Sequence, residues 1–373
     1  MPRNRVIYQS DAVFAAPTGT TTLTAASHGI RRVQSCNYNF SIQRQDINQF
    51  GELAAIDRLI IQEPTVAVDM SYYFEPTGFN EAHLGLRTNG VTGTSSGADH
   101  MLDYIIASGA NYDQKNVFIL TSDAGVDAND TGVTAMGGSA NYNGIIGIGN
   151  CFLTSWSLEA SVGAIPTVTC ALEGQNIVFT GGISAPVTPN PSVVDGADPL
   201  TVVTLPSGAG LFNSNTEISA VRPGDVTLQL LPDGDDAPSA GLSESDLKIQ
   251  SVTVAMTINR EPIRKLGKQF AFAREITFPI NSTMTVNAVV GDLASKRLYS
   301  LVTGTGDSTK YTCVITLNGY LAGSGTPRTA YVTLKGAKLD SQNITSSIGP
   351  NKSVTLELSA QIGNNSGLHF LAG

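Results

Sequence analysis

Residues 33–60, VQSCNYNFSIQRQDINQFGELAAIDRLI, lie without a gap on residues 249–276, IQSVTVAMTINREPIRKLGKQFAFAREI. Nine of the 28 positions are identical: Gln34/Gln250, Ser35/Ser251, Ile42/Ile258, Arg44/Arg260, Ile47/Ile263, Gly51/Gly267, Ala55/Ala271, Arg58/Arg274 and Ile60/Ile276. Unrelated segments of ordinary composition would share about two. The chain therefore carries an internal duplication, and each residue inside it has to be read twice.

The physical pattern repeats as well. Cys36, Tyr38, Phe40 and Ile42 alternate with polar residues, and Val252, Val254, Met256 and Ile258 keep the same phase. Period two means a strand with one buried face, so both sets are expected in a core. An aspartate at Phe40 is then expected to unfold the first copy. After the shared glycine and second arginine comes another alternating run, Val66-Val68-Met70 in one copy and Met284-Val286-Ala288 in the other. Apolar stripes at helical spacing follow, with Ala98, Met101, Leu102, Ile105 and Ile106 in the first copy and Ala294, Leu298, Leu301 and Val302 in the second. Asp99 and Asp292 stand at the expected helix starts. Further strands are predicted in NVFIL, WSLEASV, PTVTCAL and NIVF, then in YTCVITL, AYVTL and VTLELSA.

The fold class that results is mostly β: two tandem β-sandwich or barrel units, each flanked by one α-helix. Residues 1–29 form an N-terminal arm. Residues 30–183 are the first copy, with loop insertions at 76–96 and 121–144. Residues 184–221 read as an extended, Pro-rich acidic linker, and 222–373 as the second copy, opened by the Pro-Gly turn of RPGDVTLQLLP.

Composition agrees. Of 373 residues 41% are hydrophobic and only 14% charged, and 38 are glycine, a mix that suits strands and tight turns. The net charge of −9 argues against a phosphate-gripping nucleic-acid reader. Charge is also unevenly spread: residues 30–183 hold 6 basic and 15 acidic side chains, residues 249–373 hold 12 and 6. No apolar run reaches the length of a membrane span, and Gln9, Ser10 and Asp11 interrupt any signal-like stretch. The expectation is a soluble protein made in the cytoplasm, with no membrane partner.

Chemistry is sparsely signalled. Gly93-Thr94-Ser95-Ser96-Gly97 matches GxSxG, but no buried strand feeds it. Asp127, Asn129, Thr131 and Gly132 open like a calcium loop, yet Gly138 stands where the bidentate glutamate belongs. Cys36, Cys151, Cys170 and Cys313 read as buried thiols, and His28, His83, His100 and His369 as surface or capping residues. No catalytic residue, metal or cofactor is expected, and Trp156 reads as a core anchor. The recurring residues suggest contacts instead. Gly51 and Gly267 suit a turn with positive φ, while Arg44/Arg260 and Arg58/Arg274 bracket it. Each bracket either pins its own loop to a carboxylate or clamps a neighbouring subunit. Phe50, Leu53, Ala54 and Ile56 make that connection apolar for a free loop. Arg44, Phe50, Gly51, Arg58, Arg260, Gly267 and Arg274 are thus the candidate subunit contacts.

Residues 33–73, in which a strand ending in an Arg-Gln-Asp segment leads through a Gly-containing connection to a second Arg and strand, resemble the tail tube, or major tail, proteins of long-tailed bacteriophages. RPGDVTLQLLP with IQSVTVAMTINREPIRKLG resembles the same element again. The resemblance implies a β-sandwich flanked by a helix whose copies form rings, with the inner strands joined in a continuous barrel around a DNA channel. A duplicated chain implies a ring of three with six alternating copies, although a ring of six chains stays open. It further implies a structural virion protein of a long, non-contractile tail. Such a protein assembles in the host bacterial cytoplasm with itself and other tail proteins, and DNA passes through its lumen. Alternating acidic and basic copies would favour unlike contacts. The alternative is a tail-tip or surface adhesin that binds carbohydrate through the 76–96 and 121–144 loops.

Overall fold

Nearly every alternating run forms a strand in the computed structural model, which describes residues 11–86, 99–101, 105, 114–122, 142–183, 187–193, 201–206, 221–232, 247–268, 270–290, 310–320, 327–345, 352–363 and 366–372. The first part of the chain contains β1 (Asp11–Pro17), α1 (Ala25–His28), β2 (Val33–Ser41), β3 (Arg44–Ile47), β4 (Asp57–Ile60), β5 (Thr65–Tyr73), α2 (Phe79–His83), β6 (Asp99–His100), β7 (Lys115–Ser122), β8 (Tyr142–Ser161), β9 (Thr167–Gly174) and β10 (Asn176–Ile183). Next come β11 (Val187–Pro189) and β12 (Val202–Thr204). The remainder holds β13 (Val226–Pro232), β14 (Leu247–Thr257), β15 (Arg260–Ile263), β16 (Ala273–Ile276), β17 (Asn281–Val290), β18 (Tyr311–Tyr320), β19 (Pro327–Thr345), β20 (Ser353–Gln361) and β21 (Gly367–Ala372). The protein is mostly β, as the alternation requires.

The duplication extends to the hydrogen-bond register. β2 pairs with β5 and β14 with β17, and each pair shifts register at the same place, at Gln34 and at Gln250. Both glutamines donate Nε2 to the carbonyl two residues before, Arg32 at 3.0 Å and Lys248 at 3.2 Å. The next residues, Ser35 and Ser251, bond across to the matched Ser71 and Asn287. A bulge leaves one residue outside the ladder, and a side chain able to bond its own backbone settles it there. That accounts for the repeated Gln-Ser.

The long strands β8 and β19 each change partners midway. The first half of β8 lies between β7 and β10, and the second half pairs with β9. β19 does the same with β18 and β21, then β20. β1 pairs with β7 as β13 pairs with β18. One strand shared by two sheets folds each copy over its own apolar interior, and the interiors merge into a continuous core from Val13 to Phe370, with Trp156 fully buried within it. The copies meet through β8 and β14, paired from Ser155↔Thr257 to Ser161↔Ser251. The sheet thus runs β13-β18-β19-β20-β17-β14-β8-β9-β5-β2.

Several expectations change. Phe40, Tyr38 and Ile42 are 50%, 37% and 39% exposed, whereas their counterparts Met256, Val254 and Ile258 are at most 1% exposed. The alternation is right, but among the described residues β14 has a strand on its second edge and β2 does not. The insertion at 76–96 is not wholly a loop. α2 is seated in the protein, with Asn80 bonded to the Arg31 backbone and Glu81 accepting from Tyr72 Oη at 2.9 Å. Glu75, buried beside it, meets Arg31 and Arg32. His83 and His369 are buried rather than on the surface, because α2 packs inward and β21 sits inside a sheet. His28 does cap, its Nδ1 accepting from Thr24 N–H at 3.0 Å.

Asp99 lies in β6, paired with β21, rather than at a helix start. Met101 and Ile105 of the first apolar stripe are buried. The second stripe, the GxSxG segment at 93–97, the acidic loop from Asp127 to Gly138 and most of the 121–144 insertion lie outside the described residues.

Within residues 184–221, β11 and β12 pair, and of the described prolines Pro191 is buried while Pro189 is exposed. Asn116 Nδ2 donates to Asn190 Oδ1 at 3.0 Å and to Ser192 Oγ at 2.7 Å, and Val193 N–H donates to Asn150 Oδ1 at 2.6 Å. A Cβ on Gly149 would sit 1.9 Å from the Pro191 carbonyl oxygen, so only glycine permits this approach. Val203 and Leu205 cover Phe14, Phe118 and Leu120 on the outer face of the β1–β7 sheet.

Candidate subunit interface

Each bracketed connection is a β-hairpin. β3 pairs with β4 from Arg44↔Ile60 to Ile47↔Asp57, and β15 with β16 from Arg260↔Ile276 to Ile263↔Ala273. The turns contain Gly51 at φ 94° and Gly267 at φ 83°, the left-handed conformation that glycine adopts without a Cβ clash. Near them Phe50 and the matched Leu266 are fully exposed, and Ile56 and Phe272 are about half exposed. Two apolar tips therefore protrude, one from each copy.

The arginines occupy equal places and have unequal surroundings. Arg274 is buried, its side chain 7% exposed, and it reaches from the second copy into the first. Its Nη2 donates to Glu63 Oε1 at 3.1 Å, and its Nη1 donates to Glu173. Glu63 is itself buried and also accepts from Ala271 N–H at 2.8 Å and Gln175 Nε2 at 3.3 Å, with Arg264 3.9 Å away. Arg260 stacks over Phe152 at 4.8 Å and donates to the Arg274 carbonyl at 3.4 Å. A cavity of about 480 Å³ opens beside these groups at the joint of the copies. Both carboxylates come from the first copy and all three guanidiniums, of Arg260, Arg264 and Arg274, from the second, so this cluster locks the copies together within one chain.

Arg58, the counterpart of Arg274, is 67% exposed and pairs with Asp46 of its own hairpin. Arg44 is exposed on β3. Arg58 thus bonds within its own hairpin, whereas Arg274 bonds carboxylates of the other copy in the same chain. Sequence reasoning missed Glu63 and Glu173, because neither has an acidic counterpart in the second copy. An acid found on one side of a repeat only was the available signal.

The sheet that joins the copies has a core face and a polar face. On the polar face, Ser, Thr and Asn alternate with the exposed carboxylates Asp69, Glu159 and Glu357, and Glu173 is partly exposed there, with Lys248 and Lys338 as bases. Burial pushes the thiols of Cys151 and Cys313 up to about 12 and that of Cys170 higher. Burial, with Asp11 and Asp69, raises Cys36 to about 12. These thiols are protonated near neutrality and are poor nucleophiles. Among the described residues, no three His, Cys, Asp or Glu side chains gather as a metal site.

No protein-family model and no curated protein matches the chain. Parts of it are similar to solved structures at low identity. One is a chain from the anti-feeding prophage baseplate, 13% identical over 39% of this chain and 91% of that one, with a TM-score of 0.26. A chain of the native gene transfer agent virion is 12% identical over 40% of this chain and 98% of that one, TM-score 0.26. The Hcp1 protein from E. coli EAEC 042 pathovar is 16% identical over 40% and 97%, TM-score 0.21.

Proposed function

We propose that this chain is a structural subunit of a phage tail tube, closing in threes into rings of six alternating copies that stack around a DNA channel. The observation that carries the reading is an unfinished repeat. β14 pairs on one edge with β17 and on the other with β8 of the preceding copy. Its counterpart β2 pairs with β5, and among the described residues its other edge is unpaired. A repeat whose inner joint is made and whose outer joint is open extends naturally into a ring, which removes the free edges.

The polar face of the sheet then lines the channel. Small hydroxyl and amide side chains with an excess of carboxylates repel phosphates and give DNA no basic groove to grip. The apolar hairpin tips around Phe50 and Leu266 serve as contacts between stacked rings or to other tail proteins. The role is structural rather than enzymatic. It belongs to the virion tail, of a non-contractile kind, with assembly in the host cytoplasm. Electron microscopy of the purified full-length protein, with mass analysis of the rings, tests this. Stacked rings of three chains are expected; a protein that stays monomeric at high concentration would refute it.

A further inference from the structure

The repeat also specifies how one chain meets the next, an inference that rests on the ring reading. Within the chain, β8 passes a bulge between Leu153 and Ser155, after which Ser155 faces Ala171 on β9 and Thr257 on β14. β19 passes the same kind of bulge between Leu339 and Ser341, after which Ser341 faces Glu357 on β20. Ala171 faces Asp69 on β5, and Glu357 faces Thr285 on β17. Asp69 and Thr285 are matched residues of the duplication, so Ser341 stands where Ser155 does. Among the described residues, the edge of Lys338–Thr345 that corresponds to the β14 side of β8 has no strand on it. Ile344 is 46% exposed there, while its counterpart Leu158 is fully buried.

We infer that β2 of one chain pairs antiparallel with this edge of β19 in a second copy, in the register of the inner joint: Ser41 opposite Ser341, Asn39 opposite Asn343 and Tyr38 opposite Ile344. This register covers the exposed aromatic and aliphatic side chains on the core face, continuous with the apolar interior. The ion cluster of the inner joint is not reproduced. Ser359 faces Thr283 as Glu173 faces Ala67, so a serine takes the place of Glu173. Pro279 stands where Glu63 does in the aligned copies. Lys338 faces Ser359 as Phe152 faces Glu173, so the hairpin of the next chain brings Arg44 to a lysine instead of an aromatic ring. The ring thus alternates between locked joints within chains and open joints between them, the latter held by strand pairing and apolar contact.

Paired cysteines test the register in the full-length protein with Cys36→Ser as background. Residues directly opposite across an antiparallel pair have Cα atoms about 4.5–5.5 Å apart, inside disulfide range. Asn39→Cys with Asn343→Cys, oxidised after assembly, is expected to give covalent multimers up to the closed ring on non-reducing electrophoresis. Asn37→Cys with Ser341→Cys, four residues out of register, is expected to give none. Rings visible by microscopy that cross-link through the second pair, or through neither, overturn the register and leave the ring reading standing. Absence of rings in the parent Cys36→Ser protein and in the wild type defeats the ring reading itself.

Discussion

Replacing Phe40 and Met256 with aspartate, one at a time, separates folding from assembly, because the two residues are the same position of the repeat. Met256 is 1% exposed, between Trp156 on β8 and Ser282 on β17. Met256→Asp forfeits roughly 1.5–3 kcal/mol of apolar burial and leaves an unpaired carboxylate in the core at a further cost of several kcal/mol. The sum approaches the whole stability of an ordinary domain, about 5–15 kcal/mol. Phe40 is 50% exposed in the single chain. Phe40→Asp loses about half of a phenylalanine's burial, roughly 1 kcal/mol, and up to about 1 kcal/mol of strand preference. Its carboxylate keeps its water. In the dilute, unassembled protein, circular dichroism melting is expected to show Phe40→Asp only a few degrees below wild type and Met256→Asp unfolded or nearly so. In concentrated protein, Phe40→Asp is expected to form no rings, since closure would strip water from the charge. The reasoning is refuted if Phe40→Asp melts like Met256→Asp, or if it forms tubes as readily as wild type.

Three further outcomes are expected. Glu63→Ala leaves Arg274 buried with Glu173 as its remaining carboxylate, so stability should fall by roughly 3 kcal/mol, the lower end for a broken buried pair; chemical denaturation measures it, and an unchanged midpoint would remove the cluster from the folding energetics. Lys338→Glu turns a like-charge encounter with Arg44 of the next chain into an attractive one, so rings should form at lower protein concentration in sedimentation, and a higher threshold would count against that placement. His83, held neutral mainly by burial and further by the positive charges of His28, Lys115 and Arg31, has its pKa lowered from 6.5 to about 4. The unfolded chain takes up this proton first, so the stabilisation is complete above pH 6.5 and is lost as pH falls toward 4, by roughly 3 kcal/mol in all. His83→Gln should flatten that part of the stability–pH curve, and an unaltered slope would show that His83 is not the group responsible.

Local pattern carried the strands. Period-two alternation located β2, β5, β8, β9, β14 and β17 to β20, since a strand's two faces are set by backbone geometry, and the short apolar runs NVFIL and NIVF located β7 and β10. Gly51 and Gly267 were legible for a similar reason: a tight turn with positive φ selects glycine locally. α2 and the packed Pro191 beside Gly149 were not legible. Their polar composition resembles a loop, and they are ordered by partners such as Arg31, Asn116 and Asn150, which lie far away in sequence.

The duplication itself, the β class, the two glycine turns and the matched arginines that bracket them were determined by the sequence alone, because each follows from neighbouring residues and a repeat. Which copy of a matched residue is buried was decided only by tertiary structure. Phe40 and Met256 share one alternation, and Arg58 and Arg274 share one hairpin position, yet Met256 and Arg274 are covered by the preceding copy while Phe40 and Arg58 face solvent. Burial depends on what lies across the joint, and the chain supplies that neighbour to its second copy but not to its first.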